Sequence, residues 1–205
     1  SRISGRITNE GGRPLPFDVT DLEVRFAQNV GAVATSFSGG NVTDGGAFSL
    51  LTGSGTALVE VLGLKTPLHV RSIAIDGVDA TDLPIELAEG DGRRMEIVIS
   101  DRTGRIGGTV TDRDAHSIAN ALIVVFPEDR ARWGSARLIR TGYSRGDGTY
   151  ALDNLPAGDY RVAAVPSMPR DAWTDVEVLN RLWTAAVPLR LDGRQQRALQ
   201  LVIGA

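Results

Sequence analysis

The chain has 205 residues, 42% hydrophobic, 23% charged and 5% aromatic, with 24 Gly, 9 Pro and no Cys; this is a globular composition, and it excludes a collagen-like polymer or a disulfide-stapled miniprotein. Lys and Arg total 22 against 25 Asp and Glu, a formal net charge of -3, so the basic footprint of a general nucleic-acid binder is missing. The longest apolar runs, such as Ala121–Pro127, fall far short of the roughly 18 residues that span a bilayer.

Along the chain, Arg2–Thr8 alternates apolar and polar side chains and predicts an opening strand. The chain begins at Ser1 without the basic, apolar and small-residue order of a signal peptide, so it is expected to be a processed product or an excerpt of a longer protein. Asn9-Glu10-Gly11-Gly12 predicts a turn, and His69 falls in Pro67-Leu68-His69-Val70-Arg71, a predicted strand edge. Ser100–Gly104 is short and polar and predicts a joint. Beyond it, Arg105–Thr111 and Tyr160–Val165 are short β-rich runs flanked by turn residues, and Ala121–Phe126 is continuously apolar, as a strand covered on both faces would be. Gly146-Asp147-Gly148 and Ala157-Gly158-Asp159 predict tight turns in which Gly supplies positive φ. Asp171–Trp183 predicts one helix, with Trp173, Val176, Leu179, Leu182 and Trp183 near one face and Arg181 late in the segment.

Four landmarks occur twice in the same order. Gly5-Arg6-Ile7-Thr8 returns as Gly108-Thr109-Val110-Thr111, an offset of 103, and Gly45-Gly46-Ala47-Phe48 returns as Asp147-Gly148-Thr149-Tyr150, an offset of 102. Pro84-Ile85-Glu86-Leu87 returns as Pro188-Leu189-Arg190-Leu191, and Met95–Ile99 as Leu199–Ile203, both offset by 104. Ordered matches at nearly constant spacing predict two domains, residues 1–102 and 103–205. Short strands between regular turn signals point to antiparallel sandwiches rather than a parallel α/β sheet. Residues 1–103 carry 9 basic and 14 acidic side chains and residues 104–205 carry 13 and 11, opposite balances that either help neighbouring copies associate or, as most such charge does, simply form solvated surface.

Ile106-Gly107-Gly108-Thr109-Val110-Thr111-Asp112, the apolar run 121–126, Gly146-Asp147-Gly148-Thr149-Tyr150 and Leu155-Pro156-Ala157-Gly158-Asp159-Tyr160-Arg161-Val162 together resemble the carboxypeptidase regulatory-like domain. The resemblance implies an all-β fold: two tandem transthyretin-like (Ig-like) β-sandwiches, each of seven strands in a Greek key, with one short helix in the second domain. The first copy is the more degenerate match, with Leu51–Ala57 where L-P-x-G-x-Y is expected. The resemblance also implies an extracytoplasmic setting (secreted, periplasmic or cell-surface) in a bacterial protein, where such domains serve as structural or protein-interaction modules.

The residues give little ground for catalysis. His69 and His116 lie in different repeats without an H-x-x-E or H-E-x-x-H pattern to hold zinc, and neither Cys nor G-x-S-x-G occurs. Lys65 is the one Lys, which rules out an internal isopeptide cross-link in each domain. Neither an enzyme nor a cofactor is therefore expected. Two candidate sites remain. Asp76, Asp79 and Asp82 place three carboxylates within seven residues, either a calcium site or a turn in which Asp caps backbone amides. Trp133 lies in a predicted loop with Asp129, Arg132 and Arg137 around it, either a platform for a glycan or other small ligand or a core ring. The expected function is a non-catalytic structural or protein-interaction tandem with a protein partner or neighbouring copies. The alternatives are a carbohydrate-binding or small-ligand module built on the Trp133 loops, and an accessory domain of an enzyme elsewhere in the same chain.

Overall fold

A computed structural model describes residues 2–12, 15, 17–30, 33–90, 92–166, 168 and 172–203. Among them the period-two stretches become sixteen strands: β1 (Arg2–Asn9), β2 (Glu23–Val30), β3 (Val33–Asn41), β4 (Ala47–Leu51), β5 (Gly55–Leu62), β6 (His69–Ile75), β7 (Val78–Asp79), β8 (Ile85–Leu87), β9 (Gly92–Ser100), β10 (Thr103–Thr111), β11 (Leu122–Pro127), β12 (Arg140–Tyr143), β13 (Thr149–Pro156), β14 (Gly158–Val165), β15 (Val187–Leu191) and β16 (Gln196–Val202). One α-helix, α1 (Val176–Trp183), joins them. The chain divides into two compact units, Ser1–Asp101 and Arg102–Ala205.

In the first unit the sheets run β4-β1-β9-β6-β7 and β3-β2-β5-β8; in the second they run β13-β10-β16 and β12-β11-β14-β15. Seven strands thus recur with the same neighbours, β1, β2, β3, β4, β5, β8 and β9 matching β10, β11, β12, β13, β14, β15 and β16. The first unit has nine strands rather than seven, because β6 and β7 form a hairpin that extends one sheet. The second unit carries α1 between β14 and β15, the place in the chain where the first carries that hairpin.

In each unit the first strand lies antiparallel to the fourth and parallel to the last. β1 runs beside β9 from Arg2 opposite Gly92 to Asn9 opposite Ile99, and β10 beside β16 from Arg105 opposite Gln196 to Thr111 opposite Val202. The repeated glycines explain themselves there. A Cβ on Gly5 would run into the carbonyl oxygen of Met95, and one on Gly108 into the carbonyl oxygen of Leu199, so only Gly lets the two backbones approach. The second glycine of the repeat, Gly46 or Gly148, has φ of 82° or 79°. It turns the chain into β4 or β13 while passing the carbonyl of Ile7 or Val110, again without room for a side chain.

The core of the first unit gathers Ile3, Ile7, Val24, Phe26, Phe48, Val59, Ile73 and Ile97 between its sheets. The second unit has two cores. Ile123 and Val125 of β11 face Ile106, Val110, Tyr150, Tyr160 and Leu201. Leu122, Val124 and Phe126 face the other way, onto Trp133, Ile139, Val178, Leu179 and Leu182. β11 is therefore apolar along its whole length because both of its faces are covered. The equivalent outer face of β2 is finished differently, with Arg25 donating to Glu60 of β5 at 2.7 Å.

The helix is shorter than predicted. Asp175 takes the N-cap, its carboxylate accepting from the Glu177 amide at 2.8 Å, and Ala172–Thr174 forms a separate 3-10 turn. Asp171 lies outside the described residues. The cap resets the helical phase, so Val178, Leu179 and Leu182 form the buried stripe while Val176 is left 52% exposed. The Leu155–Val162 motif also works differently from expectation. Positive φ falls on Asn154 (61°) rather than on Gly158, and Gly158 instead leaves space for the Tyr160 ring. That ring is buried, and its hydroxyl donates to the Pro156 carbonyl at 3.0 Å.

Gly5→Ala and Gly108→Ala are each expected to destabilise the chain by about 1–3 kcal/mol, because a methyl group has no place between the paired strands. Urea unfolding followed by circular dichroism measures this. Gly146→Ala, whose added Cβ meets nothing within 4 Å, is the neutral control.

Candidate functional site

Trp133 is a core residue, which corrects its reading as an exposed platform. A short 3-10 turn, Arg130–Arg132, delivers it inward: the Asp129 carboxylate caps that turn by accepting from the Ala131 amide at 3.0 Å and from Arg132 Nε at 3.2 Å. The ring keeps only 5% of its surface exposed, and its Nε1 donates to the Pro127 carbonyl at 2.8 Å. It stands edge-on to Phe126, with centroids 5.8 Å apart, and lies 5.9 Å from Trp183. A buried ring cannot stack on a sugar, and Asp129 and Arg132 serve to hold its turn. Arg137 sits in the next 3-10 turn, Ala136–Leu138, where it helps burial to hold the Arg140 guanidinium below its ordinary pKa.

Trp183 completes this layer. The guanidinium of Arg161 lies 4.3 Å from its ring centroid and that of Arg130 4.7 Å, both within cation–π range. Arg161 is fixed from the other side by Glu128 at 3.0 Å and by the Ala186 carbonyl at 3.2 Å. The cluster joins α1 to the sheet through Trp183, which is half-buried.

The Asp76, Asp79 and Asp82 carboxylates do not converge, so the proposed calcium site is also corrected. Asp76 (φ 51°) and Gly77 (φ 81°) are the two central residues of the β6–β7 hairpin, where Ile75 pairs with Val78; positive φ at both is the type I′ pattern. The Asp76 carboxylate accepts from the Arg94 amide at 2.9 Å and Arg93 Nε at 3.0 Å, and Asp79 accepts from the Thr81 amide at 2.9 Å. Asp82 is buried at φ 56°.

Among the described residues, one group brings three potential metal ligands within 4.8 Å of one another: Asp112, Asp114 and His116. Sequence reasoning passed over it, although the D-x-D-x-H spacing was there to be read. Its geometry is that of a stapled turn. Asp112 Oδ1 accepts from the amides of Asp114 and His116, both at 2.9 Å, and Oδ2 lies 3.1 Å from His116 Nδ1. A second feature the sequence did not announce is a cleft of about 710 Å³ in the first unit. It is lined by Arg6, Thr8, Phe17, Asp18, Thr20 and Asp44 among others, contributed by three separate stretches of chain.

The acids share one electrostatic pattern. Asp18, Asp76, Asp112 and Asp147 all titrate below the ordinary carboxylate value of 3.8. The leading cause is the Thr20 hydroxyl for Asp18, the Arg94 amide for Asp76, the His116 amide for Asp112 and the Thr149 hydroxyl for Asp147. Each stabilises the ionised form inside a turn.

No protein-family model matches the chain, and no curated protein matches it. Among solved structures it is similar to the TIE protein of Bacillus anthracis, at 12% identity and a TM-score of 0.34 over 98% of this chain and 33% of that one. It is also similar to a streptococcal ancillary pilin, at 11% identity and a TM-score of 0.41 over 98% and 62%. The minor pilin of Streptococcus agalactiae matches at 9% identity and a TM-score of 0.44 over 98% and 94%. The chain thus spans a third of the first of these and less than two thirds of the second. No helix among the described residues is long and apolar enough to cross a membrane.

Trp133→Ala is expected to lower stability by about 3–5 kcal/mol, as loss of a buried aromatic ring does. Thermal unfolding of the variant is the check. For the acids the sign is fixed by their lowered values: their contribution is complete above pH 3.8 and is lost as pH falls through the folded-state values. The melting temperature is therefore expected to drop as the pH is taken below about 4, and Asp147→Asn is expected to flatten part of that drop in a pH series of thermal melts.

Proposed function

We propose that the chain is a tandem of two transthyretin-like sandwiches of the carboxypeptidase regulatory-like kind. It acts as a non-catalytic spacer and protein-interaction module in a larger extracytoplasmic protein. The observation that carries this reading is the pairing of first and last strands. In each unit the chain enters at the start of β1 or β10 and leaves at the end of a parallel neighbour, β9 or β16. Entry and exit therefore sit at opposite ends of one strand pair. Tension along the chain loads all the hydrogen bonds of that pair in shear, so they must fail together instead of opening one at a time. Such a unit transmits force and keeps length.

Two further observations support it. Seven strands and two glycine crossings recur in both halves, which fits one fold used twice. The carboxylates of Asp18, Asp76, Asp112, Asp129 and Asp147 are all engaged by backbone amides, so these polar groups build turns rather than a reactive centre.

Pulling the chain by its two ends in a force microscope tests the reading. Two separate unfolding events are expected, each releasing roughly 340 Å of contour for about 100 residues. Extension without resolvable force peaks would overturn the mechanical role.

A further inference from the structure

β16 is the open counterpart of a strand edge that the first unit covers. There, the outer side of β9 is taken by β6, antiparallel, from His69 opposite Ser100 to Ile75 opposite Met95. The outer side of β6 is closed in turn: Ile73 donates to Thr81 Oγ1 at 2.8 Å, and its carbonyl accepts from the Ala80 amide at 2.8 Å and from Thr81 Oγ1 at 3.2 Å. In the second unit the corresponding segment folds as α1 and packs on the opposite sheet, so β16 pairs with β10 alone among the described strands.

Hydrogen-bond direction along β16 is set at both ends. Gln195 accepts from Arg105 and Ile203 donates to Thr111, both at 2.9 Å. By the alternation of a strand, odd-numbered residues turn their backbone groups toward β10, and Gln196, Ala198, Gln200 and Val202 turn theirs outward. All four are exposed. The other edges of this unit carry the usual protection. β15 contains Pro188, β12 has four residues, and β13 has an irregular register opposite Gly104 and Ile106 with Asn154 at φ 61°. β16 has seven residues in unbroken register, without Pro or Lys.

We propose that this edge is a homotypic docking site, where β16 of a second copy adds antiparallel about a two-fold axis centred on Leu199. That register pairs Ala198 with Gln200 and Gln196 with Val202, matching all four outward-facing residues. It sets no like charges opposite one another, since Arg197 is the only charged residue of the strand. It also covers Val202, which is 56% exposed. Two three-stranded sheets become one of six, in the isologous arrangement that dominates homodimers. A single strand pair is far smaller than the roughly 1,600 Å² of a stable interface, so the dimer is weak and its formation follows local concentration.

The inference rests on the reading of the chain as an interaction module and names its partner. Sedimentation velocity of the full chain from micromolar to millimolar concentration is expected to show a monomer–dimer equilibrium. Ala198→Pro, which removes an outward N–H without touching the β10 pairing, is expected to weaken the dimer by at least about tenfold. Gln200→Lys, an exposed change that preserves the fold, is expected to weaken it in the same direction. A wild type that stays monomeric throughout, or dimers that survive Gln200→Lys unchanged, would overturn the proposal. The mechanical reading stands or falls separately, on the pulling experiment.

Discussion

The parallel pairing of first and last strands is the constraint around which each unit is organised. A parallel neighbour cannot be reached by a tight turn, so the chain between β1 and β9, or between β10 and β16, must leave the strand pair and return. Four intervening strands in each unit do this by building the opposing sheet, β3-β2-β5-β8 or β12-β11-β14-β15, while β4 or β13 returns to flank the first strand. The approach of the two backbones at Gly5 and Met95, and at Gly108 and Leu199, is what brings the paired strands into register over the core. Ile3 and Ile7 on one side and Ile97 on the other are then fully buried. The burial pattern follows from the pairing, and the pairing depends on two residues without side chains.

The two units differ mainly in how the segment before the penultimate shared strand is used. As a hairpin it widens the sheet that contains β9, and the opposite sheet keeps an outer face closed by the Arg25–Glu60 pair. As a helix it covers the outer face of β11, and that face must then be apolar: Leu122, Val124 and Phe126 are buried under Leu179 and Trp133. Burying those rings and aliphatic side chains is worth roughly 1.5–3 kcal/mol each, far more than an exposed ion pair of about 0–1 kcal/mol. The helix therefore gains a core for its own unit and leaves a sheet edge uncovered.

What the sequence disclosed follows the range of the interactions involved. The glycine landmarks, the Asp147-Gly148 turn and the doubly covered strand at 122–127 are visible because each depends on local conformation or on a periodic pattern. Trp133 was ambiguous because its fate is settled by Pro127 O, Phe126 and Trp183, and Trp183 lies fifty residues away in the sequence. Asp76, Asp79 and Asp82 looked like a cluster in one dimension. In three, the hairpin turn at Asp76 and the positive φ at Asp82 lead the carboxylates apart. The β6–β7 hairpin itself was missed. Its second strand, β7, has only two residues, and its partner β9 enters at the far end of the unit. The cleft near Arg6 and Asp44 could not be read at all, since its walls meet only once the sheets have formed.

The acids and the open edge belong to one economy of polar groups. Where a turn must be held, a carboxylate supplies the acceptor: Asp18, Asp76, Asp112 and Asp147 each close on an amide within their own turn or the adjoining strand. Where a strand edge must be closed, a hydroxyl does it, as Thr81 does for Ile73. Unsatisfied backbone groups in a sheet require water, a side chain or another strand. Along the outer side of β16, no described strand supplies the last of these, and the outward positions there, Gln196, Ala198, Gln200 and Val202, carry no charge.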